Sequence, residues 1–145
     1  MSFDLDSPRK LGMKLAILTG MFKKRILIID DAGFSKVCSA ILGSEGFGTE
    51  VLANEMGELA KKLDQNEFGL VITSYPYGNV LLEELKKRAV PLMILATHID
   101  TELMSVLDNK TTYCMLKPLN YQKFTLVIKQ VMAGDYDVKG EYNIV

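Results

Sequence analysis

The sequence predicts an α/β domain, a three-layer sandwich with a five-stranded parallel sheet between helices on both faces. Two observations predict it. From residue 25 onward, short apolar runs alternate with stretches of helical periodicity. KRILIID (24–30), GLVITSY (69–75) and PLMILAT (91–97) are continuous apolar runs, the pattern of strands buried on both faces. The connections between these units are short, and right-handed crossovers then favour a parallel arrangement.

The elements follow in order. KRILIID ends at two acids, and Phe34, Val37, Cys38, Ile41 and Leu42 then recur at helical spacing, with Gly43 and Gly46 marking the exit. TEVLAN (49–54) is a short strand, and Leu59, Ala60 and Leu63 line one side of a lysine-rich helix. After GLVITSY, Asn79 is placed to cap a helix whose Leu81, Leu82 and Leu85 face inward. Its Glu83, Glu84, Lys86 and Lys87 face water. Pro91 prefaces the fourth strand, and Asp100 is placed to cap a helix carrying Leu103, Val106 and Leu107. TYCMLK (112–117) is the fifth strand. The last helix, from about Asn120 to Ala133, buries Phe124, Val127, Ile128 and Val131.

The 145 residues suit one domain with a substantial core, and 24% charged residues give a solvated surface. A formal net charge of -1 offers no electrostatic basis for binding nucleic acid or an anionic membrane. The lysine pairs at 23–24, 61–62 and 86–87 are separated and stand beside acids, as on solvated faces. Cys38 and Cys114 lie in apolar segments and read as reduced core cysteines, which fits a cytoplasmic protein. GMKLAILTGMF lacks the length of a membrane span and the organisation of a signal peptide.

In an open sheet of this type the site lies where loops leave the C-terminal strand ends. That rule selects Asp30 and Asp31, Ser74, Ala96 and Thr97, and Lys117 with Pro118. Two adjacent carboxylates are costly without a cation or a proton to compensate them, and Mg²⁺ prefers such oxygen ligands. The alternative is that both acids face solvent, with Asp31 capping the following helix. Lys117 is placed to reach the acids or a bound anion, and Pro118 stops the strand. Tyr75 and Tyr77 either cover the mouth of the site or pack over the short helix that follows. His98 stands alone and reads as a surface or cap residue. No glycine-rich phosphate loop, Cys-His arrangement or G-x-S-x-G motif is present, so an enzyme of this fold is disfavoured.

From Lys24 to Ala133 the chain resembles the receiver domain of bacterial two-component response regulators, the CheY-like branch of the flavodoxin-like fold. ILIIDD, LANEMGELAKKL, PLMILAT and MLKP carry the resemblance. It implies strand order 2-1-3-4-5. It also implies that Asp30 and Asp31 are the acids of an Mg²⁺ pocket, Asp31 as the direct ligand. Lys117, followed by a proline that is often cis in the family, takes the place of the phosphoryl-pairing lysine. Ala96 falls at the phosphoryl-contacting hydroxyl position, with Thr97 beside it. Cys114 falls at the switch aromatic, with Tyr113 one place away.

Ser74 occupies the family's phosphoacceptor aspartate position, and serine cannot form the usual acyl phosphate. The Mg²⁺ site is thereby expected to be impaired. The segment from Ser74 to Pro91 is also shorter than in the family. The resemblance implies a degenerate receiver that is not an enzyme and acts by protein contact. Its expected face is the fourth helix, fifth strand and fifth helix, meeting a second copy, a histidine kinase or an output domain. The alternatives are retained Mg²⁺ or phosphate binding, phosphorylation of Ser74, or a small flavodoxin-like enzyme. Residues 1–23 are an extension, disordered or forming an added helix through Leu11, Leu15 and Leu18, with Met13 or Met21 as an alternative start. Residues 24–133 form the receiver-like domain, and 134–145 a tail whose Ile144–Val145 end is apolar enough to dock.

Overall fold

Burying two apolar faces at once requires strands that alternate their side chains between two helical layers. β1 (Arg25–Ile29) does this: Ile26 and Ile28 face one layer, and Leu27 and Ile29 the other. The computed structural model describes residues 24–53, 56–65, 67–76, 79–137 and 144–145. The N-terminal extension, Asn54, Tyr77 and residues 138–143 of the tail lie outside them.

Five parallel strands form the sheet in the order β2-β1-β3-β4-β5. They are β1, β2 (Thr49–Val51), β3 (Phe68–Ser74), β4 (Leu92–Ala96) and β5 (Thr112–Leu116). This is the strand order that the receiver resemblance implies. On one face lie α1 (Ala32–Ser44) and α5 (Tyr121–Met132), which bury Cys38, Leu42, Phe124, Val127 and Ile128 against the sheet. On the other lie α2 (Leu59–Gln65), α3 (Asn79–Arg88) and α4 (Thr101–Val106). Leu59, Leu63, Leu81, Leu85, Leu103 and Leu107 fill that side. Each fully buried aliphatic side chain is worth about 1.5–3 kcal/mol, so the two clusters hold the layers together.

Several details differ from the sequence expectation. Val37 is 49% exposed, because it lies on the flank of α1 while Ser35, Cys38 and Leu42 form the inward stripe. Gly43 remains inside α1, and the chain turns at Gly46, whose φ of 93° suits glycine. α3 begins at Asn79 itself, and the Asn79 side chain lies outside the described ones. Glu84 is largely covered by ion pairs with Arg88 and Lys87 rather than facing water. Arg88 also reaches Asp64 at 2.9 Å, tying α3 to α2.

Ile144–Val145 do dock. Ile144 forms a parallel bridge with Cys114, and the Val145 N–H donates to the Cys114 carbonyl at 2.8 Å. No described helix is long and apolar enough to cross a membrane.

Candidate functional site

Parallel register delivers the ends of β1, β3 and β5 to the same edge of the sheet, so residues far apart in sequence meet there. β1 and β3 are locked near that edge by the buried Thr73 hydroxyl, which donates to the Ile29 carbonyl at 2.8 Å. One residue further on, the Ser74 hydroxyl donates to Asp30 Oδ2. Lys117 Nζ donates to Ser74 Oγ at 3.0 Å. Ser74 thus uses its O–H toward the carboxylate and a lone pair toward the ammonium. The three half-buried side chains form a continuous Asp30–Ser74–Lys117 chain with opposite charges at its ends.

The two acids have separate tasks. The second oxygen of Asp30 accepts the Asp31 N–H at 2.8 Å. Asp31 is exposed and caps α1, accepting the Phe34 N–H at 2.8 Å. Phe34 then places its ring 5.5 Å from Lys117 Nζ, a cation-π distance. Lys117 is held from its backbone as well, because its N–H donates to the Ala96 carbonyl at 2.8 Å. The Lys117–Pro118 bond is cis.

Ala96 ends β4, is 2% exposed and brings no side-chain donor to the cluster. Thr97 is exposed, and its hydroxyl pairs with His98 Nδ1 at 3.1 Å. Tyr113 and Cys114 are both fully buried but on opposite faces of the sheet, as adjacent strand residues must be. The Tyr113 hydroxyl donates to the Tyr136 carbonyl at 2.6 Å. Burial, reinforced by the charges of Tyr136, Asp135 and Asp137, pushes its pKa up to about 12. Burial also pushes the Cys114 thiol up to about 11. Cys38 is pushed to about 12 by burial and then by the Asp30 charge, so both thiols are free, buried and protonated.

Two contacts have no counterpart in the sequence analysis. One is the Phe34 ring beside Lys117. The other joins Tyr75 to α4: its hydroxyl donates to Asp100 Oδ2 at 3.0 Å. Asp100 also caps α4 by accepting the Leu103 N–H at 2.8 Å. The Leu103 N–H first, then the Tyr75 hydroxyl and the charge of His98, hold this carboxyl below the ordinary carboxylate range. The only sequence signal for the contact is that a tyrosine and an acid each follow a strand end.

The two carboxylates are engaged within the chain rather than turned together toward a metal. Among the described residues no group of three or more His, Cys, Asp or Glu side chains comes together to hold a metal. Asp30 turns its inner oxygen to Ser74, Asp31 turns to the helix N-terminus, and the Lys117 ammonium supplies the compensating positive charge.

No protein-family model matches the chain, and no curated protein does. Solved structures resemble it in fold. A CheY-like response regulator receiver domain protein from Methanospirillum hungatei is 23% identical at a TM-score of 0.66. The match covers 77% of this chain and 95% of that one. Chemotaxis protein CheY4 of Vibrio cholerae is 17% identical at a TM-score of 0.63, covering 74% and 98%. The beryllofluoride-activated NtrC4 receiver domain dimer is 20% identical at a TM-score of 0.65, covering 78% and 98%. At these identities the likeness establishes the fold, which is the CheY-like one.

Proposed function

We propose that residues 24–133 form a degenerate receiver domain that signals through protein contact rather than aspartyl phosphotransfer. The observation that carries this reading is the Asp30–Ser74–Lys117 chain. Ser74 stands where the receiver resemblance calls for the acceptor carboxylate, and a serine ester of phosphate lacks the transfer potential of an acyl phosphate. Its hydroxyl also joins the Asp30 carboxylate to the Lys117 ammonium, which supplies the counter-charge. Ala96 contributes no hydroxyl, and Tyr113 is pinned to the Tyr136 carbonyl. A two-state switch needs a ligand that discriminates between its states, and here the usual one has no seat.

The contact face is the one formed by α4, β5 and α5. Exposed on these elements are Ser105, Leu116, Tyr121 and Leu126, the last at 65%. A second copy, a histidine kinase or an output domain is the class of partner. Intact mass after incubation with acetyl phosphate and Mg²⁺ tests the reading. The unmodified mass is expected, and a hydroxylamine-labile phosphoryl adduct overturns it.

A second reading keeps Ser74 as a phosphoacceptor, favoured by its hydroxyl already donating to a carboxylate beside a lysine. Attack of Oγ on a phosphoryl group would pass the proton to Asp30 and release the donor's leaving group. The same mass measurement separates the two, because a hydroxylamine-stable adduct mapped to Ser74 supports only the second.

A further inference from the structure

β5 is the last full strand of the sheet, and the outer edge of such a strand presents unpaired backbone groups to whatever can reach them. In this chain Ile144–Val145 reach them. They run parallel to β5, with Cys114 opposite Ile144 and the Val145 N–H on the Cys114 carbonyl. Their side chains part as those of a strand do. Val145 enters the α1/α5 core and is 8% exposed, while Ile144 packs on the α2–α4 core that contains Cys114. Residues 144–145 thereby add a short parallel bridge one place outside β5.

We propose that the outer edge of β5 is a strand-docking site, filled in cis by Ile144–Val145 and able to accept the same segment from a second copy of this chain. The chemistry of the occupant is given by the resident: extended backbone with apolar side chains at two successive positions, one for each sheet face. A second copy carries that segment and makes the same contacts, so exchange changes the connection and not the interface. The inference does not depend on the receiver reading, although the edge lies within the contact face proposed above.

Cys114 reports on the site, since it is the bridge partner of Ile144 and shares its face, and Cys38 serves as an internal control in the opposite layer. The experiment uses the full chain with Val145→Pro, which keeps an apolar side chain and removes the donating N–H. Thiol labelling at Cys114 is expected to be about ten-fold faster than in the wild type, with Cys38 unchanged. An excess of a synthetic peptide of residues 138–145 is expected to restore the slow rate in trans, and the same peptide with Val145→Pro to leave it fast. An unchanged Cys114 rate, or no protection by the wild-type peptide, overturns the proposal. Where both cysteines react alike, Val145→Pro has unfolded the chain, and Ile144→Ala in the same assay decides by the same outcomes.

Discussion

The C-terminal strand ends and the outer edge of β5 close themselves by opposite means. At the strand ends Asp30, Ser74 and Lys117 satisfy one another through directional, charge-assisted hydrogen bonds. At the β5 edge closure rests on two apolar side chains, the Val145 N–H and the Tyr113 hydroxyl. The first arrangement has its own counter-charge in place and leaves little for an incoming ion to improve. The second is a short strand contact of a kind that another extended segment reproduces. The strand ends are thus closed by polar contacts among side chains, and the β5 edge by an apolar strand contact.

Substitutions test that contrast. The largest effect is expected at the edge: Tyr113→Ala empties a fully buried site and should cost about 3–5 kcal/mol in chemical denaturation. Tyr113→Phe, which loses only the bond to Tyr136, should cost about 1 kcal/mol. Equal losses for the two would mean that the hydroxyl, not the ring, holds the edge.

At the strand ends Ser74→Asp adds a third carboxylate beside Asp30. Without divalent cations this should lower stability by about 1–3 kcal/mol, and millimolar Mg²⁺ should raise the melting temperature of this variant but not of the wild type. Equal Mg²⁺ responses would show that the serine does not close the site. Lys117→Met, which removes the counter-charge and the donor to Ser74, should cost about 1–2 kcal/mol. High salt should not mimic that loss if the hydrogen bond is the main contribution.

The smallest effect concerns Asp100, whose folded pKa lies below its ordinary value. The sign follows from linkage: its contribution is complete above the ordinary carboxylate value and is lost as pH falls through the depressed one. Carboxyl chemical shifts should give a midpoint below 3.8, and Tyr75→Phe should move it upward. An unmoved midpoint would mean that the Tyr75 hydroxyl does not contribute to it.

Much of this was legible in one dimension. β1, β3, β4 and β5 stand out as apolar runs because helices cover both their faces. Parallel topology then brings Asp30, Ser74 and Lys117 to one edge whatever their separation in sequence. The division of labour between the two acids was not legible, because it depends on which way each carboxylate turns, and Asp31 takes the capping role that the bland alternative assigned it. Val37 fits the helical period yet lies at the margin of the apolar stripe, where spacing alone does not decide burial. Phe34 beside Lys117 and Tyr75 on Asp100 depend on loop paths that no local pattern encodes.

The central claim is that the Asp30–Ser74–Lys117 chain closes the pocket to phosphoryl chemistry. Titration of the ¹⁵N-labelled chain with Mg²⁺ and beryllofluoride, followed by amide chemical shifts, tests it most directly. The account predicts no saturable shifts at Asp30, Asp31, Ser74 or Lys117. Saturable shifts centred on those four residues would contradict it.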